Sequence, residues 1–174
     1  MKSSRILVSI LVLIVVALGS WWFLAQRTRS PIGSQISVYY TKMDGTSLVD
    51  WPVSMRLQQS GENVAEHLHN VALIAAVQAV AGPPPETQAV RFPPGTHVLS
   101  VAVDGTTATV DLSKEVENPL SGTFGESGEF KSLVYTLTGL PGIDAVQVTV
   151  EGQKLQTLPG GHLELDRSLH RSDW

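Results

Sequence analysis

The 174-residue chain contains no cysteine. Disulfides, thiolate metal sites and a cysteine nucleophile are therefore excluded, and so is a lipid-modified cysteine at the N-terminus. Aromatic residues make up only 6% of the chain and are not interleaved with lysine or arginine, which argues against a platform for single-stranded nucleic acid. Basic residues are few. Lys2 and Arg5 precede the first apolar run, leaving ten basic against sixteen acidic residues after it, a formal −6. Nucleic-acid surfaces need a clustered basic patch, and an acidic domain has no electrostatic reason to dock on anionic lipid. Phosphate-loop signatures are missing as well. The glycines around Phe124 (SGTFGESGEF) fit neither GxxxxGK[ST] nor GxGxxG, although a helix N-terminus can hold an anion without a motif. Ser127 lies outside any GxSxG elbow.

One long apolar run is present, over residues 6–24, interrupted only by Ser9, Gly19 and Ser20. As a helix its 19 residues would span about 28 Å, close to the hydrocarbon thickness of roughly 30 Å. Trp21, Trp22 and Phe23 close it where aromatic rings suit the membrane boundary. A signal peptide is the competing reading, but its apolar core usually runs about 7–15 residues. The best small-residue cleavage pattern, Ala17-x-Gly19, would also cut inside the run. The expectation is an uncleaved anchor over 1–26, with the N-terminus inside and the rest outside the cytoplasm. A linker follows at 27–34, then a domain at 35–165 and a polar tail at 166–174 expected to fray. Apolar content of 43% and charge of 16% fit a globular domain.

Within that domain, residues 35–41 (QISVYYT) read as a strand, Asp44-Gly45-Thr46 as a break, and 48–57 as a second strand broken near Trp51-Pro52. Residues 61–81 read as a helix. Ser60 and Asn63 are candidate caps, and Glu62 and Glu66 lie near its positive end. Leu68, Val71, Ala72, Ala75 and Ala79 form its apolar stripe. Leu73, Ile74, Val77 and Val80 widen it, predicting packing around much of the circumference. Gly82 and three prolines end it.

The central stretch, 93–115, reads PPGTHVLSVAVDGTTATVDLSKE. Asp104-Gly105 is a two-residue hairpin signal, which pairs Val103 with Thr106, Val101 with Ala108 and Leu99 with Val110. All of these lie on one apolar face. Residues 121–128 then read as a glycine-rich loop, and Glu126 and Glu129 open a second helix with Phe130, Leu133, Val134 and Leu137 on its buried face. Val146, Val148 and Val150 lead to Glu151-Gly152, predicting a second hairpin with Val148 opposite Leu155. The expected architecture is α+β, a mostly antiparallel sheet with two helices on one face, preceded by a transmembrane helix.

PPGT, an apolar strand, DG, ATVDLSKE, an apolar helix and LPGIDAVQVTVEGQK together resemble the GerMN domain, across roughly residues 36–165. The AGPP helix end and the GGHLEL string are similar to that family too. The resemblance implies a bacterial envelope protein, related to sporulation or spore germination or to envelope functions in bacteria that form no spores. It implies an interaction or assembly domain without an established activity. Many members are lipoproteins, and the missing cysteine departs from that pattern.

Candidate side chains are few. Glu66, His67 and His69 are the only compact ligand cluster, but on a helix the two histidines point about 200° apart and cannot share a metal. They read as exposed. His162, in the GGHLEL string, reads as part of a structural closure. Asp111, Glu115 and Glu117 do not follow the calcium-loop pattern, and Asp111 reads as a turn or cap acceptor. No catalytic, cofactor-binding or metal-ligating residue is assigned, and no cofactor is expected. The expected function is a single-pass, extracytoplasmic, non-catalytic interaction domain whose partner is an envelope protein or a second copy. The alternative is a small-ligand or cell-wall-glycan binding module.

Overall fold

The computed structural model describes residues 35–55, 62–118 and 122–174, so the apolar run at 6–24, its anchor and the linker lie outside the described residues. Alternation of Ile36, Val38 and Tyr40 makes β1 (Gln35–Thr41), with those three side chains buried. It pairs antiparallel with β2 (Leu48–Ser54), Thr41 opposite Leu48 and Gln35 opposite Ser54. In the connecting turn Asp44 Oδ1 accepts from the Thr46 and Ser47 N–H groups, at 2.9 and 2.8 Å. These bonds hold the Asp44 carboxyl down at about 2.

The first helix, α1 (Val64–Ala81), starts where its cap chemistry allows. Asn63 Oδ1 accepts the Glu66 N–H, and the Glu66 carboxylate accepts the Asn63 N–H. Val71, Ala72, Ala75, Ala76, Ala79 and Val80 are buried against β3 and β1. The wider stripe does not close, because Ile74 and Val77 remain 43% and 42% exposed. Their face turns away from both sheets and from the second helix.

β3 (Val98–Asp104) and β4 (Thr107–Leu112) form the expected hairpin with its turn one residue later. Gly105 and Thr106 are the central residues, Asp104 faces Thr107, Val103 faces Ala108 and Val101 faces Val110. Only Gly105 has positive φ (56°), which fits a II′ turn, with glycine first, rather than I′. Moving a two-residue turn by one shifts every pair by two, so the inward faces survive: Val101, Ala108 and Val110 are buried. Leu99 is the exception. A bulge between Val98 and Ser100 brings Val98 opposite Leu112 and turns Leu99 out to 51% exposure.

A short 3₁₀ turn (Lys114–Glu117) leads to α2 (Gly122–Leu137). The expected glycine loop is helix. Gly128 is there for close approach, since a Cβ on it would lie 3.0 Å from a Val90 methyl. β5 (Ala145–Val150) then pairs parallel to β4, Val146 beside Ala108 and Val148 beside Val110. The expected second hairpin is thus corrected. Glu151 and Gly152 do make a turn with φ of 47° and 76°, but only Val150 and Gln153 pair across it. β4 takes one edge of β5 through the α2 crossover that a parallel pair requires. On its other side Val146 exchanges backbone bonds of 2.9 and 2.7 Å with Leu169.

Among the described residues there are therefore two sheets, β1-β2 and β3-β4-β5, the second of mixed direction, rather than one mostly antiparallel sheet. α2 lies along β1, α1 along β3, and the helices touch. One core joins them, centred on Phe130, Leu133, Leu137, Leu112 and Val110. The 166–174 segment is docked rather than frayed. Leu169 is fully buried, and Arg171 donates to the Tyr135 carbonyl and the Thr138 hydroxyl while stacking over the Tyr135 ring.

Candidate functional site

α2 holds a concentration of buried polar groups that its core position does not lead one to expect. Thr136 Oγ1 accepts the Tyr39 N–H and Ser132 Oγ accepts the Thr41 N–H, both at 2.9 Å. These two hydroxyls cover the edge of β1 that β2 leaves unpaired. Thr41 Oγ1 in turn donates to the Gly128 carbonyl at 2.8 Å. The ammonium of Lys131, a largely buried residue, reaches the Thr46 carbonyl at 2.9 Å. Satisfied in this way, a polar helix can sit at the centre of the domain.

One pair on α2 is not satisfied. Glu126 and Glu129, one turn apart, are each 2% exposed. Glu126 Oε2 accepts the His162 N–H at 2.9 Å, whereas Glu126 Oε1 and both oxygens of Glu129 have no hydrogen-bond partner. Burial, with the nearby Glu126 charge adding to it, pushes the Glu129 carboxyl up to about 7. The segment over Glu126 is the GGH string. A Cβ on Gly161 would collide with the Glu126 carboxyl, so glycine lets the chain cross there with that carboxyl in place. The arrangement can keep a proton on a buried carboxyl near neutral pH. From the sequence the two glutamates read only as helix-opening acids. The glycine pair before His162, which implies a close crossing of something, is the one signal that could have found them.

The other candidates are dispersed. His67 Nδ1 lies 3.2 Å from Glu62 Oε2 and is partly buried, Glu66 serves the α1 cap, and His69 is exposed. Asp111 Oδ1 accepts from the Thr149 hydroxyl and the Gly152 N–H, both at 2.7 Å, and so ties β4 to the turn after β5. Glu115 is exposed, its carboxyl held below the usual range mainly by a Ser113 hydrogen bond. Ser127 Oγ accepts the Trp174 indole N–H at 3.0 Å. Among the described residues no three His, Asp or Glu side chains come together as metal ligands.

Three surface features remain among the described residues. A cleft of about 370 Å³ lies between the β1–β2 turn and the segment before β3, lined by Lys42, Met43, Asp44, Val49, Thr87 and Gln88. Another is the outward side of α1, where Ile74 and Val77 lie one turn apart. β2 is also exposed, with Trp51 at 40%. Because the Tyr39 and Thr41 N–H groups turn towards α2, residues of the same parity on β1 form the non-hydrogen-bonded pairs, Ser37 with Pro52 among them. The Pro52 nitrogen therefore faces outwards and carries no hydrogen, which blunts that edge against strand addition.

A family model described as "Germane: Sporulation and spore germination" matches residues 37–156. The chain belongs to this family. Its match runs from β1 to just beyond the turn after β5. Solved structures show the same fold. The tandem GerMN domains of the sporulation protein GerM from Bacillus subtilis superpose with a TM-score of 0.61 at 24% identity, over 81% of this chain and 47% of that one. The first GerMN domain of GerM alone gives 0.60 at 24% identity, covering 80% of this chain and 99% of that domain. A protein from Clostridium perfringens described as a lipoprotein gives 0.52 at 22% identity, over 80% and 89%. This chain thus spans about half of the tandem GerM structure and nearly all of its single domain. No curated protein matches it.

Proposed function

We propose that this Germane-family chain is a single-pass, membrane-anchored extracytoplasmic assembly domain that acts by docking on another protein and carries out no reaction. The outward strip of α1 carries this reading. Ile74 and Val77 lie side by side on a helix whose opposite face is already buried, and burying the remaining two-fifths of each against a partner would contribute on the order of 1 kcal/mol each. The occupant we commit to is a second domain of the same type. The tandem GerM structure holds two GerMN domains in one chain, and the match covers only one of them. The apolar run at 6–24 supports the anchor, and the family's link to sporulation and the lipoprotein description of one structural relative favour an envelope setting.

The test is cross-linking of the full-length chain in its native membrane, with mass spectrometry of bait and captured material. Bait-to-bait links through α1 are expected, together with an intact N-terminal peptide. A different envelope protein linked through α1 keeps the assembly role and replaces the occupant. Capture of no protein, with glycan or small-molecule adducts instead, contradicts the proposal. The cleft supports that second reading, a small-ligand or cell-wall-glycan module, since its volume falls within the range of small-molecule sites and Lys42, Asp44 and Gln88 bring polar groups to it.

A further inference from the structure

The C-terminal part of the chain is held to α2 at successive points. His162 N–H bonds to Glu126, the Trp174 indole to Ser127, and Arg171 to Tyr135 and Thr138. Leu158 and Leu165 anchor the intervening loop, closed by a 2.8 Å bond from the Leu165 N–H to the Gln156 carbonyl. The loop crosses directly over the Glu126 carboxyl, one helical turn from Glu129, and the two groups have three unpartnered oxygens between them. The fit leaves no space at Gly161 even for a methyl group.

We propose that Glu126 and Glu129 form a pH-sensitive latch for the loop at residues 156–165, closed while Glu129 carries a proton and loosened when both carboxyls are charged.

Among the described residues, the charged groups around the pair leave it without a counter-ion. On α2, Lys131 is turned away to Thr46, and β1 carries no charged residue. From the segment before β3, the Arg91 guanidinium is spent on the Pro83 and Pro84 carbonyls. In the C-terminal part, Arg171 serves Tyr135 and Thr138, Asp173 pairs with Arg167, and His162 presents its backbone N–H. Among the described residues, Glu126 is the one charge acting on Glu129, and it repels. A second negative charge there needs water, and the loop held on Glu126 is the segment whose lifting would admit it.

The direction is set by linkage. With the loop closed Glu129 holds its proton up to about 7, against an ordinary value of 4.5. Its contribution to closure is full below about 4.5 and is lost as pH rises through about 7.

The experiment is hydrogen exchange of the full-length chain in lipid nanodiscs from pH 5 to 8.5, following peptides within 156–165 and correcting for the intrinsic pH dependence of exchange. Loop opening is expected to rise about tenfold per pH unit up to about pH 7 and then flatten. In Glu129→Gln, which stays neutral, that extra dependence disappears. Persistence of the full dependence in the variant, or its absence from the unaltered chain, overturns the proposal. Should the variant fail to fold, carbon NMR of the glutamate carboxyls in the unaltered chain decides. A carboxyl titrating near pH 7 is expected, and titration of every glutamate below pH 5 overturns it.

Discussion

The two helices invert what their sequences suggest. α1 is rich in alanine and valine and is long and apolar enough to cross a membrane, yet only a third of its residues are buried. α2 contains two glutamates, a lysine and several hydroxyls, yet from Gly125 onwards nearly every side chain is buried. The difference comes from hydrogen bonding. Ser132 and Thr136 give α2 a reason to lie against the backbone edge of β1, and few apolar side chains are needed on that side. α1 makes its core contacts mainly through small residues, Ala72, Ala75, Ala76 and Ala79, flanked by Val71 and Val80. Ile74 and Val77 fall on the opposite face. Polarity alone therefore did not decide which helix became central.

The contrast can be broken at several depths. Phe130 is fully buried and meets Phe92 edge-on, ring centroids 5.7 Å apart. Phe130→Ala is expected to cost about 3–5 kcal/mol in urea unfolding. Next comes Thr136→Val, which keeps the shape of the side chain but leaves the Tyr39 N–H without an acceptor. It should cost about 1–3 kcal/mol, measurable by the same unfolding curve. A smaller effect is expected at the start of α1. Asn63→Ala removes the acceptor for the Glu66 N–H and should cost about 1 kcal/mol, with faster amide exchange confined to the first turn. Smallest of all is Ile74→Ala on the outer face of α1, which should change the unfolding free energy by no more than about 0.5 kcal/mol.

Local chemistry made much of this fold legible. The alternation in QISVYYT defined β1, the Asn63–Glu66 spacing contained the α1 cap, and Asp104-Gly105 marked the central hairpin to within one residue. The features that stayed hidden depended on distant partners. Nothing within residues 145–150 says that the strand lies parallel to β4 rather than folding back on residues 153–158. Gly128 looks like a loop residue until Val90 is placed against it, and Leu99 looks inward until the bulge is known. The tail looks polar because its anchors are a single leucine, a stacked arginine and a terminal tryptophan. Glu126 and Glu129 look like ordinary helix-opening acids because burial of a carboxyl is decided by the loop that covers it.

The assembly role rests on the outer face of α1, and one comparison tests it most directly. The full-length chain and its Ile74→Glu, Val77→Glu double variant are cross-linked in the membrane under identical conditions, with urea unfolding as a control for folding. The variant should keep its unfolding midpoint and lose the α1-mediated link between copies. Retention of that link in a folded variant, or its absence from the unaltered chain, would contradict the account.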